Sequence, residues 1–282
     1  MSLLRSAARR VRAAVPVLRS PPYVPPGHYY SPLTKVDDRL RALNRRCTDA
    51  PGFNLRIEQQ MDLAATLAAM WADAPRDRYR PDNSMFGAGD AAVYHSMLRH
   101  LQPRRVIEVG SGFSTAVALD TAERHLSGLE LTCIEPYPAR LRSVLRPSDV
   151  VTIIEEPVQD VPLSRYAELG AGDVLFIDST HVVKAGSDVH WLVLHVLPVL
   201  APGVVIHFHD VFWPFEYPDP WLAEGRDWTE NYLLHAFLAY NETFHVLLFN
   251  SWLWETSPEL IAAHLPEAVG QRPGSLWLRK AT

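Results

Sequence analysis

Between Arg105 and Asp210, short, mainly apolar runs alternate with stretches of helical spacing, and this alternation constrains the fold more than any other feature. The runs at Arg105–Val109, Leu131–Ile134, Val150–Ile154, Asp173–Ile177 and Gly203–Phe208 read as strands, with helices expected at Ser114–His125, Ala139–Leu145 and Asp188–Leu200. A strand apolar on both sides of its pleat is buried on both faces, which requires a parallel sheet with helices above and below. In such sheets chemistry gathers outside the carboxyl ends of the strands. After Asp210 the pattern changes to a helix near Glu230–Tyr240 and two strand-like runs, Phe244–Asn250 and Ser275–Arg279. With no strong helix pattern between them, they predict an antiparallel hairpin at one edge. The expected fold class is therefore α/β, a doubly wound, mostly parallel seven-stranded sheet with an antiparallel C-terminal hairpin and an N-terminal helical extension.

Three regions are expected. Residues 1–32 form a basic arm and a Pro-rich linker, 33–102 a helical extension or cap, and 103–282 the sheet domain. Arg5, Arg9, Arg10, Arg12 and Arg19 stand in the first twenty residues with no acid among them. The apolar stretch there, Ala13–Leu18, is broken by Pro16, too short for a secretory core of about 7–15 residues. A solvated basic helix is the plain reading, and peripheral contact with a membrane surface is the alternative. The prolines over 21–32 exclude helix and central strand. Helices are expected over Asn54–Ala74 and Ala88–Leu101. No run approaches the roughly 18 apolar residues that a membrane span needs. A net charge of −5 advertises no nucleic-acid partner, and two cysteines, Cys47 and Cys133, make no disulfide framework. A cytoplasmic setting is the expectation, with a homo-oligomer left open.

Glu108-Val109-Gly110-Ser111-Gly112 sits at a strand-to-helix turn, where glycines admit a ligand to the backbone and the helix start at Ser114 or Thr115 offers free N–H groups. Glu135 ends the second strand, where a carboxylate accepts both ribose hydroxyls of a nucleoside. A dinucleotide fingerprint would need a third glycine where Thr115 stands, which disfavours a nicotinamide enzyme. Glu108 is placed to meet a cationic ligand end such as the amino group of methionine.

VIEVGSG, CIEP and DVLFIDSTH, in this order, resemble the first, second and fourth motifs of class I S-adenosylmethionine (SAM)-dependent methyltransferases, whose fold is Rossmann-like. The resemblance spans roughly residues 85–280. It implies that Gly110 and Gly112 line the methionine part of SAM, with Ser111 and Ser114 beside them, that Glu135 holds the ribose, and that Gln159 lies where the class holds adenine. Asp178 is expected to bond the ligand from the fourth strand. Tyr94, with Asp90, is expected to close the other side of the cleft.

Asp178 ends the fourth strand, His181 follows three residues later, and His209-Asp210 end the fifth. Asp178, His209 and Asp210 make a partial ligand set for a divalent metal with positions left for substrate. A metal there would bind two acceptor oxygens and lower the pKa of one, leaving His181 to take the proton. The arrangement is similar to metal-dependent O-methyltransferases acting on natural-product sugars, in which an acid ends strand four, a histidine three residues on is the base, and two acids end strand five. Here His209 replaces the first of those two acids, which moves the expected ion from Mg²⁺ toward Mn²⁺, Fe²⁺ or Zn²⁺. His207 shares the strand face of His209 and is either a further ligand or a packed core histidine. The aromatics of the following loop, Trp213, Phe215, Tyr217, Trp221 and Trp228, suit a flat acceptor or a sugar face. Two rival readings stay open: metal-free N- or O-methylation with His209 or His181 as base, and a non-catalytic SAM- or nucleoside-binding module.

Overall fold

Valine, isoleucine, leucine and phenylalanine dominate the inner strands and fit a pleat covered on both sides; even the polar residues among them, Glu108 on the first strand and His207 on the fifth, are buried. The computed structural model describes residues 21–282; the basic arm expected at the N-terminus lies, as far as residue 20, outside the described residues. Two compact units divide them. One comprises 21–45 and Asp219–Asp227. It holds α1 (Val36–Asn44) and α8 (Asp219–Glu224), with Thr34 Oγ1 donating to Asp227. Residues 21–35 carry neither helix nor strand.

The other unit, 46–218 with Trp228–Thr282, contains the sheet. Its strands are β1 (Arg105–Val109), β2 (Glu130–Ile134), β3 (Thr152–Ile154), β4 (Val174–Ile177), β5 (Val205–His209), β6 (Phe244–Phe249) and β7 (Ser275–Lys280). They lie in the order β3-β2-β1-β4-β5-β7-β6. The first five pair in parallel; β7 runs antiparallel to both β5 and β6. The expected fold class is thus the observed one. The terminal pair differs from a simple hairpin: α10 (Asn250–Thr256) and α11 (Pro258–His264) separate β6 from β7 in the chain.

The helices expected as an extension over 33–102 divide between the units. α2 (Ile57–Ala68) packs on β6, and α3 (Ala88–Leu101) packs on α4 (Phe113–His125), so both belong with the sheet. α4 in turn contacts α5 (Ala139–Val144). A separate group, α6 (Leu163–Tyr166) and the helical run that starts as α7 (Asp188–Trp191), packs together. The helix expected over Asp188–Leu200 passes through a wide π turn at Leu192–Val196 before Pro198, which has no N–H to continue an α ladder. The helix expected over Asn54–Ala74 stops at Ala68 and resumes as a 3₁₀ turn at Trp71–Asp73. α9 (Glu230–Leu238) completes this unit.

The chain leaves β1 toward β2 on one side, while β4 lies on the other, so the strand order reverses between β1 and β4. Loops diverge at such a switch point and leave a crevice at the carboxyl ends of the strands. Gly110, Glu135, Asp178 and Asp210 follow β1, β2, β4 and β5 there.

Candidate active site

The β1–α4 turn approaches β4 closely. Gly110 adopts φ +76°, and a Cβ on it would stand 1.8 Å from the carbonyl oxygen of Asp178, so glycine is required on both counts. Glu135 anchors the turn from β2: its carboxylate accepts the N–H of Ser111 at 3.2 Å and of Tyr137 at 2.8 Å. Glu108 lies beneath the turn, fully buried, accepting from Thr115 Oγ1 at 2.5 Å. Burial raises its pKa to about 7, with the Ser114 and Thr115 hydroxyls pulling the other way.

Two adjoining cavities share Gly110, Glu135, Asp178, Ser179 and Thr180 in their walls. One, of about 420 Å³, is also lined by Pro136, Tyr137, Gln159 and Asp188. Gln159 is held there by donating to the carbonyl of Gly186 at 2.8 Å. The other, of about 310 Å³, is lined by Met85, Phe86, Ser111, Gly112, Ser114, Arg140, His181, Asp210 and Trp228. The hydroxyls of Ser111 and Ser179 are buried at these walls with no hydrogen-bond partner among the described residues. A nucleoside-amino acid ligand would supply partners, and the donor set fits SAM.

Ionisable groups concentrate at the far wall. Among the described residues, Asp178, His181 and Asp210 bring one ligand-type atom each within 4.8 Å of one another. His181 Nε2 lies 3.4 Å from Asp178 Oδ1 and 3.6 Å from Asp210 Oδ2, and its Nδ1 lies 2.9 Å from Glu230 Oε2. Burial opposes charge on His181, but hydrogen bonds to Asp178 and Glu230 outweigh it and hold its pKa well above the usual imidazole value. Burial likewise raises Asp210, whereas Asp178 is held low by His209 and His181 against the same desolvation. Two carboxylate oxygens and an imidazole nitrogen at this spacing are a donor set that a divalent cation accepts, with imidazole favouring Mn²⁺, Fe²⁺ or Zn²⁺ over Mg²⁺.

Several expected site residues stand elsewhere. His209 was expected as a ligand, yet His181 takes that place in the cluster. The His209 ring is 3% exposed, its Nε2 is 3.7 Å from Asp210 Oδ1, and its Nδ1 has no partner among the described residues. Its side chain sits on the covered face of β5, 5.0 Å between ring centroids from Phe86. Tyr94 does not line either cavity: α3 turns it into the core, with its ring 4.7 Å from Phe176. Glu108 does not line them either, because the glycine turn covers it. His207 is a core residue, stacked at 4.1 Å on Phe176 and 4.5 Å from Trp277. Of the aromatic loop, Phe215 and Tyr217 are buried, and Trp228 reaches the cavity, its ring 4.3 Å from that of His181. Met85, Phe86, Arg140 and Glu230 reach the site without belonging to any strand-end motif. An acid two residues after Trp228, in the first turn of α9, is the one signal that marked Glu230 in the sequence.

A family model described as a methyltransferase domain matches residues 107–211. An uncharacterized protein of Archaeoglobus fulgidus is 31% identical over 161 residues, covering 51% of this chain and 73% of that protein. Among solved structures, the SAH-bound methyltransferase PaMTH1 of Podospora anserina aligns at 18% identity and a TM-score of 0.46, over 77% of this chain and 88% of that one. The plantazolicin methyltransferase BamL, solved with SAH and a desmethyl-plantazolicin analogue, aligns at 15% identity and a TM-score of 0.46, over 81% and 100%.

Proposed function

We propose that this chain, which belongs to the class I SAM-dependent methyltransferase family, moves the methyl group of SAM to a hydroxyl of a small acceptor, with a divalent metal held by Asp178 and Asp210 and with His181 as base. One observation carries the reading: the imidazole of His181 faces both carboxylates at the wall of a cavity that adjoins the Gly110–Glu135 turn. Gly110, Ser111, Gly112, Ser114, Glu135, Gln159 and Asp178 would hold SAM, which supplies an electrophilic methyl on a sulfonium sulfur. The metal would act as a Lewis acid on the acceptor oxygens. As the acceptor oxygen bonds the methyl carbon and the carbon–sulfur bond breaks, the oxygen's proton passes to Nε2 of His181. That nitrogen must be unprotonated first. Asp178, Glu230 and Asp210 all favour its charged form in the free protein, and a cation held by Asp178 and Asp210 would offset the share of those two carboxylates. Met85, Phe86 and Trp228 present apolar and aromatic surface to the acceptor, which suits a sugar or a flat secondary metabolite. Alignment and exclusion of water complete the task, since the transfer needs no covalent enzyme intermediate.

His181→Ala and Asp210→Ala test the assignment. Each is expected to lower kcat by about 10²-fold or more, while calorimetric affinity for SAM stays within a few-fold of wild type. A loss of no more than a few-fold in both sinks it. Elemental analysis of the same samples separates a second reading, favoured by the three-residue cluster, in which His181 is a metal ligand: metal retained in His181→Ala supports the base, and metal lost supports the ligand.

A further inference from the structure

The side of His181 that faces away from Asp178 and Asp210 is gripped by a segment 49 residues downstream. The His181 carbonyl accepts the backbone N–H of Thr229 at 2.8 Å and of Glu230 at 3.1 Å, which fixes the residue in the left-handed conformation at φ +60°. The N–H of Val183 donates to Thr229 Oγ1 at 2.7 Å, closing the loop from its other end. Trp228 covers the imidazole face. Glu230 is itself buried, 2% exposed, and one carboxylate oxygen meets His181 Nδ1 while the other has no partner among the described residues.

A carboxylate only accepts, and a neutral imidazole has one N–H and one lone pair. With Nδ1 committed to an acceptor, the lone pair must sit on Nε2, the nitrogen turned toward Asp178 and Asp210. We propose that Glu230 is a positioning residue of the site, keeping the proton on Nδ1 of His181 so that Nε2 is presented between Asp178 and Asp210. For catalysis this rests on the reading of His181 as base; for the orientation of the ring it rests on the geometry alone. It also makes the 228–230 segment part of the chemical site, with Trp228 at the cavity wall and Glu230 on His181.

The test is a long-range proton–nitrogen correlation spectrum of the full chain with ¹⁵N-labelled histidine, His181 being assigned by its absence in His181→Ala. Above the titration of His181 the wild type is expected to carry its proton on Nδ1. Glu230→Gln keeps the volume but offers an amide that donates as well as accepts, so the preference for Nδ1–H is lost. With it kcat is expected to fall about 10²-fold at unchanged SAM affinity. Glu230→Ala, read by the same spectrum, guards against a folding failure of the glutamine variant, because removing the acceptor frees both tautomers. A variant ring that keeps the proton wholly on Nδ1 overturns the proposal, whatever the rate. Loss of the preference with kcat intact upholds Glu230 as the positioning residue and removes His181 from the role of base.

Discussion

Single atoms decide the site. At Gly110 a methyl group would overlap the Asp178 carbonyl, and the backbone lies where L-residues pay about 1–2 kcal/mol. Gly110→Ala is expected to lower the stability measured by urea unfolding by more than that strain alone, and to abolish SAM binding by calorimetry, because relief requires β1 and β4 to part. His207 is an opposite case, a polar ring with no polar partner. Both its nitrogens are buried and unbonded among the described residues, and burial, aided by His209, holds its pKa well below the usual value. A base with a depressed folded pKa contributes stability that is present above the unfolded value of about 6.5 and lost as the pH falls below it. His207→Phe is therefore expected to gain on wild type between pH 6.5 and 5, by up to about 1.4 kcal/mol per pH unit, in paired denaturation curves. Glycines and strand-end acids are legible in the sequence because they lie within a few residues of a motif. The exchange of His209 for His181 in the cluster was not legible. It follows from the left-handed turn at His181 and the burial of the β5 face, neither of which has a local signature.

At the scale of elements, the segment between the Trp71–Asp73 turn and α3 has little regular structure, yet it delivers Met85 and Phe86 to the cavity that His181 lines. Buried side chains fix it, Arg78 foremost. Arg78, with its side chain 1% exposed, meets Asp120 at 2.5 Å and Glu123 at 2.6 Å on α4, and Asp149 at 2.5 Å before β3. Tyr79 adds a hydroxyl bond to the Phe86 carbonyl at 2.9 Å. Removing one partner of a buried ionic cluster leaves charges without compensation, typically costing about 3–5 kcal/mol. Arg78→Ala is expected to lose stability in that range and to raise KM for the acceptor more than the dissociation constant of SAM, since Glu135 and the glycine turn lie on other elements. The alternation of apolar runs placed every parallel strand to within a residue or two. The helices were less legible. Asp188–Leu200 reads as one helix, and its π turn at Leu192–Val196 lies just before Pro198. The span 33–102 reads as a helical extension or cap because its helices precede the first strand; α2 and α3 bury their faces within the unit that carries the sheet.

For the whole molecule, the order of strands matters more than their number. The reversal between β1 and β4 sets the nucleoside side of the crevice, and the neighbouring ends of β4 and β5 set the chemical side. Periodicity reveals that a sheet is parallel, but it does not reveal which strand lies beside which; the terminal pair was legible as antiparallel, and its insertion order was not. That order places β7, the last strand in the chain, between β5 and β6. Its lead-in residue Gly274 accepts the backbone N–H of Asp210 at 2.5 Å. A ribosome therefore makes β5 long before the strand that will flank it. Until residues 274–280 have emerged, the nascent protein carries an open edge beside its future chemical centre, and Asp210 has no clamp on its main chain. Exposed edges invite pairing with other chains, so translation that stalls late leaves a product both inactive and adhesive.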